Sequence, residues 1–281
     1  MRGSPVKLRT ADEIVKAKEA GRLAALVLQM ITPHVQPGVS TDALDKLCHD
    51  YIVDELGVTA ANIGYHGYPK TLCSSVNEVV CHGIPSPTKI LKDGDIVNLD
   101  VALIKDGWFG DTSRMYFVGE PKPLARRLVN TTYEALRAGI LKVRPGATLG
   151  DIGHAIQSVA HREGFSVVRE YGGHGIGDVY HDQPHVNHFG QPGEGMKLQA
   201  GMIFTIEPMI NAGKRGVKEL ADGWTVITQD RSLSAQWEHM VLVTASGFEL
   251  LTAWPEGYGA YPAIASAIAP AIAPTIAPAI S

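Results

Sequence analysis

Cysteine is scarce in this chain. Cys48, Cys73 and Cys81 are the only three in 281 residues, and they form no CxxC pair and no even set. That excludes a disulfide framework and suits free thiols in a reducing compartment. An excess of either charge is also missing, with 25 basic against 29 acidic residues and a net charge of −4. No electrostatic field therefore favours nucleic acid or an anionic membrane surface as a partner, and small-molecule or peptide chemistry is the more natural expectation. The opening MRGSPVKLRT lacks the apolar core of a signal peptide, which predicts a cytoplasmic protein. HExxH, GxSxG and a Walker P-loop are all absent. The segment GHGIG at 173–177 approaches a dinucleotide fingerprint, but Asp178 stands where the last glycine is needed.

A composition of 45% hydrophobic and 19% charged residues is an ordinary globular balance, enough for a sizeable core. Thr10, with Glu13 three places on, opens an amphipathic helix over 10–31 that carries Ile14, Ala17, Leu23, Leu26, Val27 and Met30. A second helix is expected after Ser40 or Thr41, with Leu44, Leu47, Cys48, Tyr51 and Ile52 on one face. The pattern then repeats: VQPGVSTDAL at 35–44 is matched by VRPGATLGDI at 143–152. LKDGDIVNLDVAL at 91–103 is matched by LQAGMIFTIEPMI at 198–210, which sets Asp100 on Glu207. DTSRMYFV, beginning at Asp111, resembles EHMVLVT, beginning at Glu238. Two halves that each run helix, helix and strand hairpin predict a pseudo-twofold α+β domain, with the strands pooled in one curved sheet, helices on its outer side and a site between the halves.

The expected boundaries are an N-terminal extension over 1–9, a single domain over 10–254 with halves of about 10–120 and 121–254, and a tail over 255–281. The tail repeats an Ala-Ile-Ala-Pro unit, and Pro270, Pro274 and Pro278 disfavour a spanning helix. An extended or disordered segment without stable membrane association is expected there.

The hairpin DGDIVNLDVALIKDGWFGDTSRMYFV at 93–118 organises the rest. Val97, Leu99, Val101 and Leu103 alternate with Asn98, Asp100 and Ala102, so the two sets face opposite ways. Asp106-Gly107 is a strong turn signal. With that pair at the tip, Lys105 faces Trp108, Ala102 faces Asp111, and Asp100 is a diagonal neighbour of Asp111, roughly 7 Å away. Taken alone, two strand aspartates fit an exposed charged face better than a shared-ion site. In GGHGIGDVYHDQPHVNH at 172–188, glycines surround His174 and allow the backbone to pack around a fixed imidazole, with His181 seven places on. His185 and His188 read as surface-loop histidines.

Together CHGIP, NLDVALIKDGWFGDTSRM, EYGGHGIG, FTIEPM and SLSAQWEH resemble the type I methionine aminopeptidases, over about residues 10–252. The resemblance implies the pita-bread fold and five metal ligands: Asp100, Asp111, His174, Glu207 and Glu238. It makes Asp111 and Glu238 bridging carboxylates, with Asp100 completing one ion's shell and His174 and Glu207 the other's. Four carboxylates set −4 against two divalent cations, and oxygen donors with one imidazole suit Mn, Fe(II), Co or Zn. By resemblance, a hydroxide bridging the two ions attacks the first peptide bond and Glu207 carries a proton to the leaving amine. His82 contacts the scissile amide and His181 stabilises the tetrahedral intermediate.

Tyr65, Tyr68, Cys73 and Trp224 match positions around the methionine side chain, although each also fits ordinary core packing. Two departures stand out: Asn62 occupies a position that is often cysteine in bacterial relatives, and Tyr180 one that is often phenylalanine. With no zinc-finger extension or long second-half insertion, the chain resembles the compact bacterial form. The implied substrates are peptides and nascent polypeptides with an N-terminal methionine and a small second residue, acted on by a monomer. Ribosome proximity suits that activity, but no docking motif is visible. Two rivals are a proline-specific aminopeptidase or prolidase of the same fold, and a pita-bread binding protein without catalysis. The complete set of ligands and histidines weighs against the second.

Overall fold

The computed structural model describes residues 6–254 and residue 264. Helix α1 (Ala11–Ile31) starts where the sequence places it, because Thr10 and Glu13 close a capping box that satisfies two orphan amides. Its inner face is a strip of small buried residues, Ala17, Ala20, Gly21 and Ala24. The helix backbone can therefore lie almost on the sheet beneath it. A Cβ added to Gly110 there would sit 2.1 Å from the carbonyl oxygen of Ala20.

The internal repeat is visible in the backbone. Helices α2 (Thr41–Asp50) and α4 (Leu149–Arg162) are each capped by the hydroxyl at the matched position, Ser40 and Thr148. The turns before them use Gly38 at φ 90° and Gly146 at φ 85°, a region that only glycine enters without strain. Gly38 N–H donates to Leu91 O at 2.8 Å, and Gly146 N–H to Leu198 O at 2.9 Å. Even the isolated bridges correspond, Ser40 with Ile90 and Thr148 with Lys197. Helix α3 (Pro123–Ile140) packs against α4 on the second half.

In chain order the strands are β1 (Thr59–Ala60), β2 (Leu72–Val76), β3 (Val79–Cys81), β4 (Ile96–Lys105), β5 (Trp108–Phe117), β6 (Ser166–Val167), β7 (Gly173–Gly175) and β8 (Asp182–Val186). They continue as β9 (Ile203–Ile206), β10 (Met209–Asn211), β11 (Val217–Glu219), β12 (Val226–Thr228), β13 (Ser234–Gln236), β14 (His239–Val243) and β15 (Phe248–Leu250). Every pairing is antiparallel. Instead of one unbroken sheet they form four ladders: β1-β4-β2 with β5 on β4, β13-β10-β6, β11-β12-β3, and β15-β14-β9-β7-β8. One break has a clear origin. Where the first half has the ten-residue β4, the second has β9 and β10 separated by Glu207-Pro208, and proline has no amide to donate.

The hairpin register is the expected one, with Lys105 opposite Trp108 and Ala102 opposite Asp111. One buried apolar cluster gathers around α1, α2 and the β4–β5 hairpin, and another around α3, α4, β9 and β14, so each half has its own core. Side chain and backbone join them. Glu238 N–H donates to Ser113 O at 3.2 Å, Thr112 Oγ1 to Glu238 O at 2.8 Å, and Asn98 Nδ2 to Gln236 O at 2.8 Å.

The cysteines are free and buried. The expected tail lies outside the described residues except for Ile264, which is buried in the second core. No helix among the described residues is long and apolar enough to cross a membrane.

Candidate metal centre

The joint between the halves encloses a cavity of about 490 Å³, and every expected site residue lies on its wall. Asp100 and Asp111 enter from one face of the β4–β5 hairpin. His174 enters from β7, where its glycine neighbours matter sterically. A Cβ at Gly173 would meet Thr205 O at 2.2 Å, and one at Gly175 would meet Gln183 O at 2.0 Å. Glu207 follows β9, and Glu238 precedes β14.

Donor atoms of Asp111, His174 and Glu238 all lie within 4.8 Å of one another, a separation that one ion can span. His174 Nε2 is 3.4 Å from Asp111 Oδ2 and 3.7 Å from Glu207 Oε1. Its Nδ1 lies 3.1 Å from Gly175 O, and donating there leaves the Nε2 lone pair directed at the carboxylates. Asp100 shares the cavity but not the tight group of three.

Electrostatics make this cluster expensive as it stands. Burial raises the Asp100 carboxyl well above its usual range, and the charges of Asp111 and Glu207 raise it further. Glu238 is pushed up by the same burial and by Asp111 and Glu207. Glu207 is raised to about 7, mainly by burial, with His174 and the Thr205 hydroxyl pulling it back. Burial opposes a charge on His174, but Asp111 and Glu207 outweigh it and raise its pKa. No lysine or arginine lines the cavity among the described residues. Four carboxylates and one imidazole in such a place fit divalent cations, which bring the missing positive charge.

Residues 15–245 match metallopeptidase family M24. The chain belongs to this family.

Within the M24 family the chain is 55% identical over 247 residues to the methionine aminopeptidase of Escherichia coli strain K12, covering 88% of this chain and 94% of that one. The crystal structure of methionine aminopeptidase from Rickettsia prowazekii superposes with a TM-score of 0.86 at 52% identity, covering 88% of this chain and all of that one. The pita-bread fold and the metallopeptidase class follow from these likenesses. A prolidase from Pyrococcus horikoshii shares only the fold, with a TM-score of 0.69 at 20% identity, so the proline-specific rival is not favoured.

The clustered carboxylates and His174 are flanked by two histidines with different settings. His82 adopts φ 56°, a left-handed conformation costly for a non-glycine residue, and the following Gly83 has no room for a Cβ, which would meet Ser74 O at 2.2 Å. Burial lowers its pKa. His181 Nδ1 is 2.8 Å from the Tyr65 hydroxyl, and its ring lies 4.1 Å from that of His174. Its pKa is lowered by desolvation and then by His174 and His82.

Tyr68 and Trp224 meet edge to face at 5.0 Å, and the single Tyr68 hydroxyl proton is shared between Leu72 O at 3.0 Å and Gly83 O at 3.1 Å, which fixes the ring. Cys73 is buried beside them as the registered partner of Asp100. Asn62 and Tyr180, the two departures, meet in space: the Tyr180 hydroxyl donates to Asn62 Oδ1 at 2.7 Å, and Asn62 Nδ2 donates to Thr71 O at 3.0 Å.

One expectation is corrected. His188 is not a surface-loop residue but fully buried, and its Nε2 accepts the backbone N–H of Glu207 at 3.1 Å. His185 is exposed as expected, but it lies in strand β8 and not in a loop. Sequence reading also missed Thr205, whose hydroxyl donates to Glu207 Oε1 at 2.7 Å, and Gln236, whose amide donates to Glu207 Oε2 at 3.2 Å. Each stands two places before a candidate ligand, so same-face periodicity was a usable signal. For His188 there was none, because its partner is a backbone amide 19 residues away. His66 on the rim was missed as well.

Proposed function

We propose that the protein is a dinuclear-metal methionine aminopeptidase that releases the initiator methionine from nascent polypeptides with a small second residue. Its catalytic unit is residues 10–254. The observation that carries the reading is the buried, cation-deficient cluster of Asp100, Asp111, His174, Glu207 and Glu238 in one cavity with His82 and His181. Those five residues hold two divalent ions, drawn from Mn, Fe(II), Co and Zn. When bound, such ions supply Lewis acidity and a nucleophilic water at neutral pH.

The remaining steps belong to the chain's own side chains. Tyr68, Cys73 and Trp224 receive the methionine side chain, since a thioether suits an aromatic and sulfur-lined pocket, and Tyr65 closes the same wall. With the Tyr65 hydroxyl donating to Nδ1, His181 keeps a proton on Nε2 and donates it as a hydrogen bond to the oxyanion that develops at the scissile carbonyl. His82 is held in its strained conformation beside Trp224 and contacts the scissile amide. Glu207 moves a proton to the leaving amine. Thr205 and Gln236 hold its two oxygens in place for that transfer.

The test is methionine release from Met-Ala-Ser and Met-Leu-Ser by metal-stripped protein resupplied separately with Mn, Fe(II), Co and Zn. Metal-dependent release from the alanine peptide alone is expected. No release with any metal overturns the reading, and cleavage only of Xaa-Pro peptides replaces it with the proline-specific one.

A further inference from the structure

The catalytic cavity continues past the metal centre. A second cavity of about 400 Å³ shares His174 and His181 with it and extends over Gly172, Asp182, Gln183 and His185. A third, of about 370 Å³, shares His185 with the second and reaches Phe189 and Glu194. The sheet register explains this continuity. His174 and His185 are cross-strand partners, so their side chains share one face, and β8 is the edge strand of its ladder. Along β8, Gln183 and His185 are exposed while Pro184 and Val186 are buried. At Gly172 an added Cβ would touch the His185 ring at 3.0 Å, so glycine keeps the floor of the passage low.

Resting on the aminopeptidase reading, we propose that this face of β7 and β8 is a track for the substrate's own downstream chain, roughly its third to sixth residues. Only the first residue fits the side-chain pocket, and the rest of a polypeptide must leave along an adjoining surface. Neighbouring strands lie about 4.8 Å apart and an extended chain rises about 3.3 Å per residue, so crossing from His174 over His185 takes one to two residues. The second cavity is lined by polar groups and glycine, with no apolar side chain among the described residues. Imidazole, carboxylate and amide groups pair with backbone amides and carbonyls and ignore side-chain identity. That suits substrates sharing a first residue and differing beyond the second. The third cavity is mixed: Asn187, Gln191 and Glu194 line it together with Leu149 and Phe189, whose ring carries the Arg169 guanidinium at 4.7 Å.

The experiment compares kcat/KM of the metal-loaded protein on Met-Ala-Ser and on Met-Ala-Ser-Gly-Ser-Gly. The longer peptide should gain about five- to tenfold, mostly through KM. His185→Trp, which fills the passage at an exposed position, should bring the ratio of the two substrates close to one, and Gln183→Trp should do the same from the neighbouring position. A ratio near one in the unaltered protein, or one that neither substitution moves, overturns the track. Release of methionine from neither peptide overturns the aminopeptidase reading beneath it, a separate and recognisable outcome.

Discussion

Asn62 and Tyr180 should behave as one unit. Both are buried, at 6% and 8% exposure, and the hydroxyl of one donates to the amide oxygen of the other at 2.7 Å. Asn62 cannot turn away to find another donor, because its Nδ2 is engaged with Thr71 O. Tyr180→Phe therefore leaves a desolvated amide oxygen without a partner, and Asn62→Cys leaves a desolvated hydroxyl without its acceptor. Each single change should cost about 1–3 kcal/mol. In a domain of this size that lowers Tm by roughly 2–4 °C per kcal/mol. The double change removes both polar groups together, and the Tyr180 ring keeps its stack on Phe109 at 5.0 Å. It still takes the Asn62 Nδ2 donor from Thr71 O, so it should be no less stable than the Asn62→Cys single variant, giving a coupling of about 1–3 kcal/mol. Thermal unfolding of the four proteins in one buffer closes the cycle. Strictly additive single effects, or a double variant less stable than either single one, would refute the argument.

Four further outcomes follow from the geometry. Gly110→Ala must open the 2.1 Å approach of α1 to an ordinary van der Waals distance, which costs about 1–3 kcal/mol, and it shifts the adjacent Asp111 enough to cut kcat about 10²-fold. A Tm within one degree of the parent (about 0.3 kcal/mol or less) contradicts that packing. Asp111→Asn and His174→Ala should retain the far-ultraviolet spectrum and lose both metal binding by calorimetry and methionine release; unchanged turnover in either sinks the assignment. His188→Leu strands the buried Glu207 amide at about 1–3 kcal/mol and weakens metal affinity, whereas His188→Gln, which keeps an acceptor, should recover much of both.

The fourth concerns pH. In the metal-free fold, burial raises Glu207 to about 7 from an ordinary 4.5, so the folded state retains a proton that the unfolded chain has released. Stability from this group is intact below the lower value and falls as pH rises through the upper one. His188 and His239 are held neutral by burial at about 3 and run the other way, losing stability as pH falls from 6.5, equally with and without metal. The rise in Tm on adding Mn should therefore grow between pH 5 and about 7.5. An increment independent of pH refutes the linkage.

Local order was legible wherever one residue determines its own neighbourhood. The Thr10–Glu13 capping box, the turn at Asp106-Gly107 and the two Pro-Gly turns each formed as the sequence indicates, because each rests on contacts a few residues apart. Period-two alternation was enough to place Asp100 and Asp111 on one face, and the internal repeat paired Asp100 with Glu207 and Asp111 with Glu238. Residue type and repetition thus pointed to the α+β class and to the four carboxylates, while the full ligand set rests on the resemblance to the type I methionine aminopeptidases.

Tertiary structure decided what depends on groups distant in sequence. It broke the strands into four ladders, buried His188 beneath Glu207, and brought Asn62 to Tyr180 across 118 residues. It also gathered the carboxylates in one buried cavity rather than on an exposed charged face. Burial is a property of the assembled halves, and no single strand carries it. The acidic cluster is buried where the halves join at Ser113 and Glu238, and that desolvation is what raises the Asp100 and Glu238 carboxyls and suits the cluster to a cation.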